Sequence, residues 1–255
     1  MTWSTAGAAL RGSVHVRNGM PLQDSVRTWS DGERAVIVVA DGHGHHQHFR
    51  SDVGADLATT IALDVLGRAL TERAAVDAAD WRRTTAEVVA TWRAAVADHS
   101  AAQDDEEPAG LTPYGTTLLA LAVDDTSVVA LQIGDGDLVV VSADGEARRP
   151  LPEDPRLDGV RTSSLCQPDP LEDLRVAVFP ATDVALGYVC SDGFGRARVD
   201  ADWWRATGSQ LLDLTRDHGI DWVRQHLPGW LEEPASVGGD DTALALLIHV
   251  HHDVG

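Results

Sequence analysis

Three aspartates of this chain, Asp41, Asp192 and Asp240, lie at the ends of apolar, β-branched runs. Such a run, bounded by glycine, is typical of a buried strand. Gly42 and His43 directly follow the first aspartate, so one strand end presents a carboxylate, a bare backbone and an imidazole. Burying a carboxylate is costly unless its charge meets a cation. The repeated pattern therefore indicates that three strand ends share a cation.

The cation that these residues favour is Mg²⁺ or Mn²⁺, because carboxylates are hard oxygen ligands. Mg²⁺ takes only one or two carboxylates and keeps several waters, so three or four acids suffice for two ions. Two ions about 3.5–4 Å apart can bridge a water and lower its pKa towards neutrality. His43 would then protonate a leaving oxygen, and Gly42 would let its backbone approach a ligand closely. One Asp-Gly pair is more typical of a turn, but three motifs with a histidine favour a metal site.

The hydrophobic pattern predicts the elements that hold these residues. Continuous or alternating apolar runs predict strands, at residues 12–16, 25–29, 36–40, 116–123, 127–133, 138–142, 175–179, 184–190 and 243–250. Apolar residues that recur every three or four positions predict helices, at residues 51–70, 88–99, 202–217 and 221–230.

The order of these elements predicts an α+β fold with antiparallel sheets, because the helices are segregated from strands that hairpins link. The runs 175–179 and 184–190 are predicted to form one such hairpin. Residues 149–170, rich in proline and aspartate, are predicted to form an exposed flap. We expect one domain over residues 1–255, with a core at about 12–250.

The composition excludes several classes of partner. A formal charge of −20 argues against nucleic acid and against an anionic membrane surface. The chain has no lysine, so arginine supplies the whole positive charge. No run has the length of a transmembrane helix, and the first residues lack the pattern of a signal peptide. Two cysteines outside any Cys-x-x-Cys motif fit a cytoplasmic location.

The ordered motifs resemble a known family. They are Gln23-Asp24, Asp41-Gly42-His43-Gly44, Gly115-Thr116-Thr117-Leu118, Gly134-Asp135, Ser191-Asp192-Gly193 and Gly239-Asp240-Asp241-Thr242. In order and spacing they are similar to the metal-dependent (type 2C, PPM) serine/threonine protein phosphatases, here of the bacterial type. The resemblance implies a β-sandwich of two antiparallel sheets flanked by pairs of α-helices. It also implies that phosphoserine and phosphothreonine in a protein substrate are hydrolysed by a hydroxide bridging two Mg²⁺ or Mn²⁺ ions.

The resemblance also implies a role for each matching residue. Asp41 would bridge both ions, and the Gly42 carbonyl would bind one of them. Asp192 and Asp240 would complete the two sites. The catalytic residues would be His43, as general acid, and Asp24, which would orient a metal-bound water. Asp135 would support a third, looser ion, and the motif that begins at Gly115 would let strands pack closely.

Three positions depart from the family pattern. Gln23 stands where a glutamate is frequent, and Gly19 where many members have an arginine that binds the substrate phosphate. His15 and Arg17 are the nearest candidates to replace that arginine, although neither is at the matching position. Arg196 stands where a second acid often supports the third ion, so the number of ions, two or three, stays open.

Alternative interpretations remain. The departures allow a phosphoprotein-binding module with little turnover, and the metal site alone allows a hydrolase of small phosphomonoesters. The cluster of His43, His45, His46 and His48 is either a transition-metal patch or, by preference, a solvated loop beside the site. The tryptophans 203, 204, 222 and 230 mark either core packing, which we favour, or a partner surface.

Overall fold

The computed structural model describes residues 2–73, 75, 77–103, 110–154 and 162–250 of the 255 residues. Within this part of the chain, strands form two antiparallel sheets and helices cover both. The strands are β1 (Thr2–Leu10), β2 (Ser25–Ser30), β3 (Ala35–Ala40), β4 (Leu118–Val123), β5 (Ser127–Ile133), β6 (Asp137–Val141), β7 (Ala147–Arg148), β8 (Arg175–Pro180), β9 (Leu186–Cys190) and β10 (Thr242–Val250). The helices are α1 (Ser13–Asn18), α2 (Ser51–Glu72), α3 (Ala78–Ala101), α4 (Asp192–Arg196), α5 (Trp203–His218) and α6 (Ile220–Val237).

Each sheet has five strands. One has the order β1-β10-β9-β6-β7, and the other has the order β2-β3-β4-β5-β8. All of the paired strands run antiparallel. Pairs of helices, α2 with α3 and α5 with α6, pack on the outer faces. This arrangement confirms the predicted α+β sandwich.

Strand β3 shows why the central runs are apolar throughout. Val36 and Val38 face the helices α2 and α3, where they meet Trp92. Ile37 and Val39 face the opposite sheet instead. Successive side chains of a strand point to opposite faces, and here both faces are covered. A strand buried on both faces needs a continuous apolar run rather than an alternating one.

The beginning of the chain differs from the prediction. The strand expected at residues 12–16 is wrong, because Ser13–Asn18 is the short helix α1. Its start is bonded to the segment before β10, where the Val14 N–H donates to the Gly239 carbonyl at 2.9 Å. The first strand is β1, which pairs with β10 along its whole length. The sandwich therefore begins at Thr2, before the predicted core boundary.

Two further predictions are corrected. The runs 175–179 and 184–190 do not form a hairpin, because β8 pairs with β5 and β9 pairs with β10 and β6. A short 3-10 turn, Ala181–Asp183, carries the chain from one sheet to the other. Although Arg149, Pro152 and Glu153 are exposed as predicted, the exposed flap is wrong for residues 163–165, which are buried. Their neighbour is Thr116, whose carbonyl accepts the Leu165 N–H at 3.0 Å.

The tryptophans belong mainly to the core. Trp204 is buried beneath the sheet of β9, and Trp203, Trp222 and Trp230 pack partly buried against the same cluster. This agrees with the favoured interpretation of core packing. Among the described helices, none is both long and apolar enough to cross a membrane.

Candidate active site

A cleft of about 780 Å³ opens at one end of the sandwich. Asp41 follows β3, Asp192 follows β9 and Asp240 precedes β10, and all three line this cleft. The antiparallel pairing of β9 with β10 brings the end of one strand beside the start of the other. The structure therefore brings together the three aspartates that the sequence singled out. Asp135 lines the same cleft.

Asp41 is held by the segment that leads into β4. Its N–H donates to the Thr117 hydroxyl at 3.0 Å, and its carbonyl accepts the Thr117 N–H at 2.9 Å. The Thr116 hydroxyl donates to the same carbonyl at 2.9 Å. The next residue must be glycine, because a Cβ on Gly42 would lie 2.7 Å from the carbonyl oxygens of Gln23 and Ser51. This backbone is therefore fixed from both sides.

The carboxyl groups at the base of the cleft hold an excess of negative charge. Burial raises the pKa of Asp41, and the charges of Asp24 and Asp192 raise it further. The pKa of Asp192 is raised to about 6, first by burial and then by the charge of Asp135. Both carboxyls therefore hold a proton more tightly than an exposed aspartate does.

Asp24 lies beneath the cleft and is not part of its lining. Burial raises its pKa, and the hydrogen bond from Ser191 only partly opposes this effect. Its Oδ2 atom is buried without a hydrogen-bond partner among the described residues. This orphaned oxygen is a position where a cation, or a water held by one, would satisfy the carboxylate.

Asp241 ties the beginning of the chain to the site. Its carboxylate is 2% exposed and accepts the N–H of Gly12 at 2.7 Å and that of Gln23 at 2.6 Å. The ring of His15 lies against it, with Nδ1 at 2.9 Å, while Nε2 is 3.5 Å from Asp240. Asp241 therefore fixes the position of the segment from Gly12 to Gln23, which leads into Asp24.

The two candidates for phosphate binding are placed differently. His15 lines the cleft, but its ring lies between two carboxylates, which would also repel an anion. Arg17 is exposed and outside the cleft, and its Nε donates to the Ser13 carbonyl at 3.3 Å. Gln23 is buried, and its amide donates to the Ser51 hydroxyl at 2.5 Å.

Arg196 is the cation that faces these acids. Its guanidinium lies 2.6 Å from Asp192, 3.6 Å from Asp240 and 3.7 Å from Asp135. Asp135 also accepts a hydrogen bond from the Thr162 hydroxyl at 2.9 Å. Asp135, which the resemblance implies would support a third ion, thus lies beside the Arg196 guanidinium.

His43 lines the cleft next to a second histidine. The His43 and His48 rings are 5.0 Å apart, and Gly115 leaves room for both. A Cβ on Gly115 would lie 2.4 Å from the His48 ring and 2.7 Å from the His43 ring. Burial, followed by the charge of His48, lowers the pKa of His43 to about 4. His43 is therefore a neutral imidazole at neutral pH in this arrangement.

The other histidines of this loop are exposed. His45 and His46 have their ring centroids 4.1 Å apart, and His45 also lines the cleft. In the described part of the chain, no three carboxylate, imidazole or thiol groups converge as tightly as a bound ion requires. The favoured interpretation of a solvated loop is consistent with this exposure.

The residues of the cleft nevertheless fit divalent cations. They supply oxygen donors, which Mg²⁺ and Mn²⁺ prefer, and the raised pKa values of Asp24, Asp41 and Asp192 show that positive charge would be stabilising there. Asp41, the Gly42 carbonyl, Asp192 and Asp240 are the candidates that would hold the ions. The Arg196 guanidinium would have to move aside from Asp192 and Asp240.

Sequence reasoning missed two features of the site. Asp241 stood within a quoted motif but received no role, and its partners lie more than 200 positions away in the chain. Arg196 was noted only as a departure from the pattern, although it lies four residues after Asp192. That spacing places two side chains on one face of a helix, so an ion pair was a signal available in the sequence.

Comparisons with known proteins agree with this fold. No curated protein matches the chain. Among solved structures, the Mycobacterium tuberculosis serine/threonine phosphatase PstP/Ppp has a TM-score of 0.62 and 16% identity, over 98% of this chain and 100% of that one. The Pseudomonas aeruginosa protein PppA has a TM-score of 0.62 and 17% identity, over 97% and 98% of the two chains.

A PstP catalytic domain solved with two manganese ions has a TM-score of 0.63 and 17% identity, over 98% of this chain and 99% of that one. At these identities the likeness concerns the fold. The family model described as protein phosphatase 2C matches residues 11–232. This match spans most of the chain, including Asp24, Asp41 and Asp192. The chain therefore belongs to the protein phosphatase 2C family.

Proposed function

We propose that this protein hydrolyses phosphoserine and phosphothreonine in protein substrates, with two Mg²⁺ or Mn²⁺ ions. The observation that carries the proposal is the convergence of Asp41, Asp192 and Asp240 on one open cleft, above the buried Asp24 Oδ2 that has no hydrogen-bond partner among the described residues. The manganese ions of the PstP catalytic domain, which shares this fold, support the choice of metal. The single domain, the cytoplasmic location and the substrate class are parts of this proposal.

Asp41, the Gly42 carbonyl, Asp192 and Asp240 would hold the cations. When bound, two such ions supply positive charge that lowers the pKa of a shared water and polarises the phosphoryl oxygens. The hydrogen bonds to the Asp41 N–H and carbonyl hold the backbone from which its carboxylate projects. The unpaired Oδ2 of Asp24 would accept a hydrogen bond from a water and so orient it.

His43 would donate a proton to the serine or threonine oxygen as it leaves. Burial lowers the pKa of His43 to about 4, so the ring is neutral at neutral pH before the substrate binds. A phosphate anion in the cleft would raise the pKa of His43, because a nearby opposite charge favours the protonated ring. Proton donation is therefore coupled to substrate binding in this proposal.

Phosphate release from a phosphoserine and a phosphothreonine peptide tests the proposal. We expect turnover with Mn²⁺ or Mg²⁺ and none after chelation. Asp192→Asn should abolish turnover, whereas Asp56→Asn should not, because Asp56 is an exposed acid paired with Arg27. Activity that survives complete removal of metal would exclude the mechanism. A large preference for a small phosphomonoester over both peptides would indicate a metabolite hydrolase instead.

A phosphoprotein-binding module with little turnover is the second candidate. It is favoured by Arg196, which neutralises Asp192, and by Gln23, whose neutral amide bonds to Ser51 rather than to the cleft. This candidate predicts that metal and phosphopeptide bind without release of phosphate. Turnover that Asp192→Ala abolishes would reject it.

A further inference from the structure

Arg196 occupies a defined position in the cleft. It ends α4, four residues after Asp192, so both side chains lie on the same face of that helix. Its guanidinium also lies within 4 Å of Asp135 and Asp240. The side chain is nevertheless 60% exposed. A permanent cation thus lies among three acids and stays accessible to a ligand.

The cleft has no second permanent cation among its described lining residues, and the chain contains no lysine. The imidazoles do not replace it. The His15 ring lies against Asp240 and Asp241, and the His43 ring packs beside that of His48, with ring centroids 5.0 Å apart. A phosphate monoester that carries up to two negative charges must enter a cleft lined by acids. Arg196 is the side chain whose charge suits that group.

The guanidinium also has the capacity to bind a phosphate. Of its three acidic neighbours, only Asp192 is within direct hydrogen-bond distance, at 2.6 Å, while the other two are beyond 3.5 Å. Arginine has five N–H donors in a planar fork, and this fork matches two phosphate oxygens at once. Cations bound to Asp192 would weaken its hold on the guanidinium and free the fork.

We propose that Arg196 binds the substrate phosphate and takes the place of a third cation beside Asp135. The inference rests on the proposed function, because it supposes a phosphorylated substrate. Without metal, Arg196 pairs with Asp192 and neutralises part of the site. With two ions bound, the same guanidinium turns to the phosphate. Its charge also repels any further cation from Asp135.

Calorimetric titration of inorganic phosphate into the Mg²⁺-loaded protein tests this role without any turnover. We expect Arg196→Ala to weaken phosphate binding about 10- to 100-fold, the range for hydrogen bonds to a charged group. Arg196→Lys keeps the charge without the fork and should give a smaller loss. Arg198→Ala is the matched control and should leave binding unchanged, since Arg198 is exposed and lies over the Phe194 ring.

A second titration, of Mg²⁺ without phosphate, separates binding of the anion from support of the site. Arg196→Ala should bind Mg²⁺ as tightly as wild type or more tightly, because a competing cation has been removed. Arg196→Asp should bind one more Mg²⁺ per chain than wild type, because it restores an acid beside Asp135. Thermal melting of each variant verifies that it is folded.

Unchanged phosphate affinity in Arg196→Ala would overturn the inference, and so would a wild type that binds no phosphate at millimolar concentration. Parallel losses of phosphate and Mg²⁺ would also overturn it, since they would indicate that Arg196 merely supports Asp192. An unchanged ion count in Arg196→Asp would reject the claim about the third cation. Phosphate binding that depends on Arg196, in a protein without turnover, would leave the inference intact and reject the proposed function.

Discussion

Asp241→Asn is the substitution that most directly tests how the site is assembled. Both carboxylate oxygens of Asp241 are in use, Oδ1 by the Gly12 N–H and Oδ2 by the Gln23 N–H. The residue is 2% exposed, so water does not compensate for a lost bond. An asparagine keeps one acceptor oxygen but presents an NH₂ group to the other N–H donor. One buried N–H therefore loses its partner, and a second donor is brought against it.

The expected cost follows from these contacts. A hydrogen bond to a charged group contributes about 1.5–3 kcal/mol, and an unsatisfied buried donor adds about 1–3 kcal/mol. We expect Asp241→Asn to lower the free energy of unfolding by about 3–5 kcal/mol. This is a large fraction of the stability of a typical domain, about 5–15 kcal/mol.

Urea unfolding of the metal-free protein, followed by tryptophan fluorescence, measures this change. Asp240→Asn is the matched control, because this neighbouring side chain is 42% exposed and lies 3.5 Å from the His15 ring and 3.6 Å from the Arg196 guanidinium. We expect the control to lose less than about 1 kcal/mol. It should instead weaken Mg²⁺ binding, since Asp240 is a candidate ligand.

Equal shifts of the urea midpoint in the two variants would refute the reasoning. So would a loss below about 1 kcal/mol in Asp241→Asn, because two buried bonds to a carboxylate cannot then be stabilising this end of the sandwich. A change in the dependence of the unfolding free energy on urea concentration would indicate an altered denatured state. In that case the variants would be compared by their urea midpoints, with this slope held at the wild-type value.

Three further predictions concern the cleft. His43→Ala should cost about 10²–10⁴-fold in turnover of a phosphopeptide and much less on a nitrophenyl ester, whose leaving group needs no proton; equal losses would remove His43 from the acid role. Gly115→Ala should reduce turnover, because its Cβ would lie 2.4 Å from the His48 ring. Unchanged turnover in this variant would contradict the packing of the two histidines against Gly115. Gly229→Ala in α6 is the control, and it should raise the melting temperature slightly, since alanine favours a helix. The pKa of Asp192 is raised in the folded state to about 6, so the folded protein binds more protons than the unfolded chain and loses stability as pH rises from about 4 through 6. The metal-free protein should melt higher at about pH 5 than at about pH 7.5, and the difference should shrink in Asp192→Asn and on addition of Mg²⁺; an unchanged difference in the variant would assign it to other groups.

Much of the fold was predictable because periodicity is a local property. The run that became β3 is apolar at every position, and both of its faces are covered. The spacing of apolar residues predicted the helices α2, α3, α5 and α6, although α3 begins ten residues before its predicted start and α6 ends seven residues after its predicted end. The acids at strand ends were visible for the same reason, since a charge next to a buried run stands out. The order of the motifs was enough to indicate the family.

Partners across the chain were decided only by the tertiary structure. Strands β8 and β9 are neighbours in sequence, yet they lie in different sheets. Strand β8 pairs with β5, whereas β9 pairs with β10 and β6. The segment at residues 12–16 has an apolar alternation but becomes α1, since Gly12 and Val14 are bonded to the residues before β10.

The same distinction applies to the site. The sequence by itself singled out Asp41, Asp192 and Asp240, which the structure places together in one cleft. Only folding determined that Asp241 clamps the start of the chain and that Arg196 lies 3.7 Å from Asp135. Hydrogen bonds and ion pairs act over a few ångströms of space, whatever the separation along the chain. Their partners are therefore known only when the sheets have been assembled.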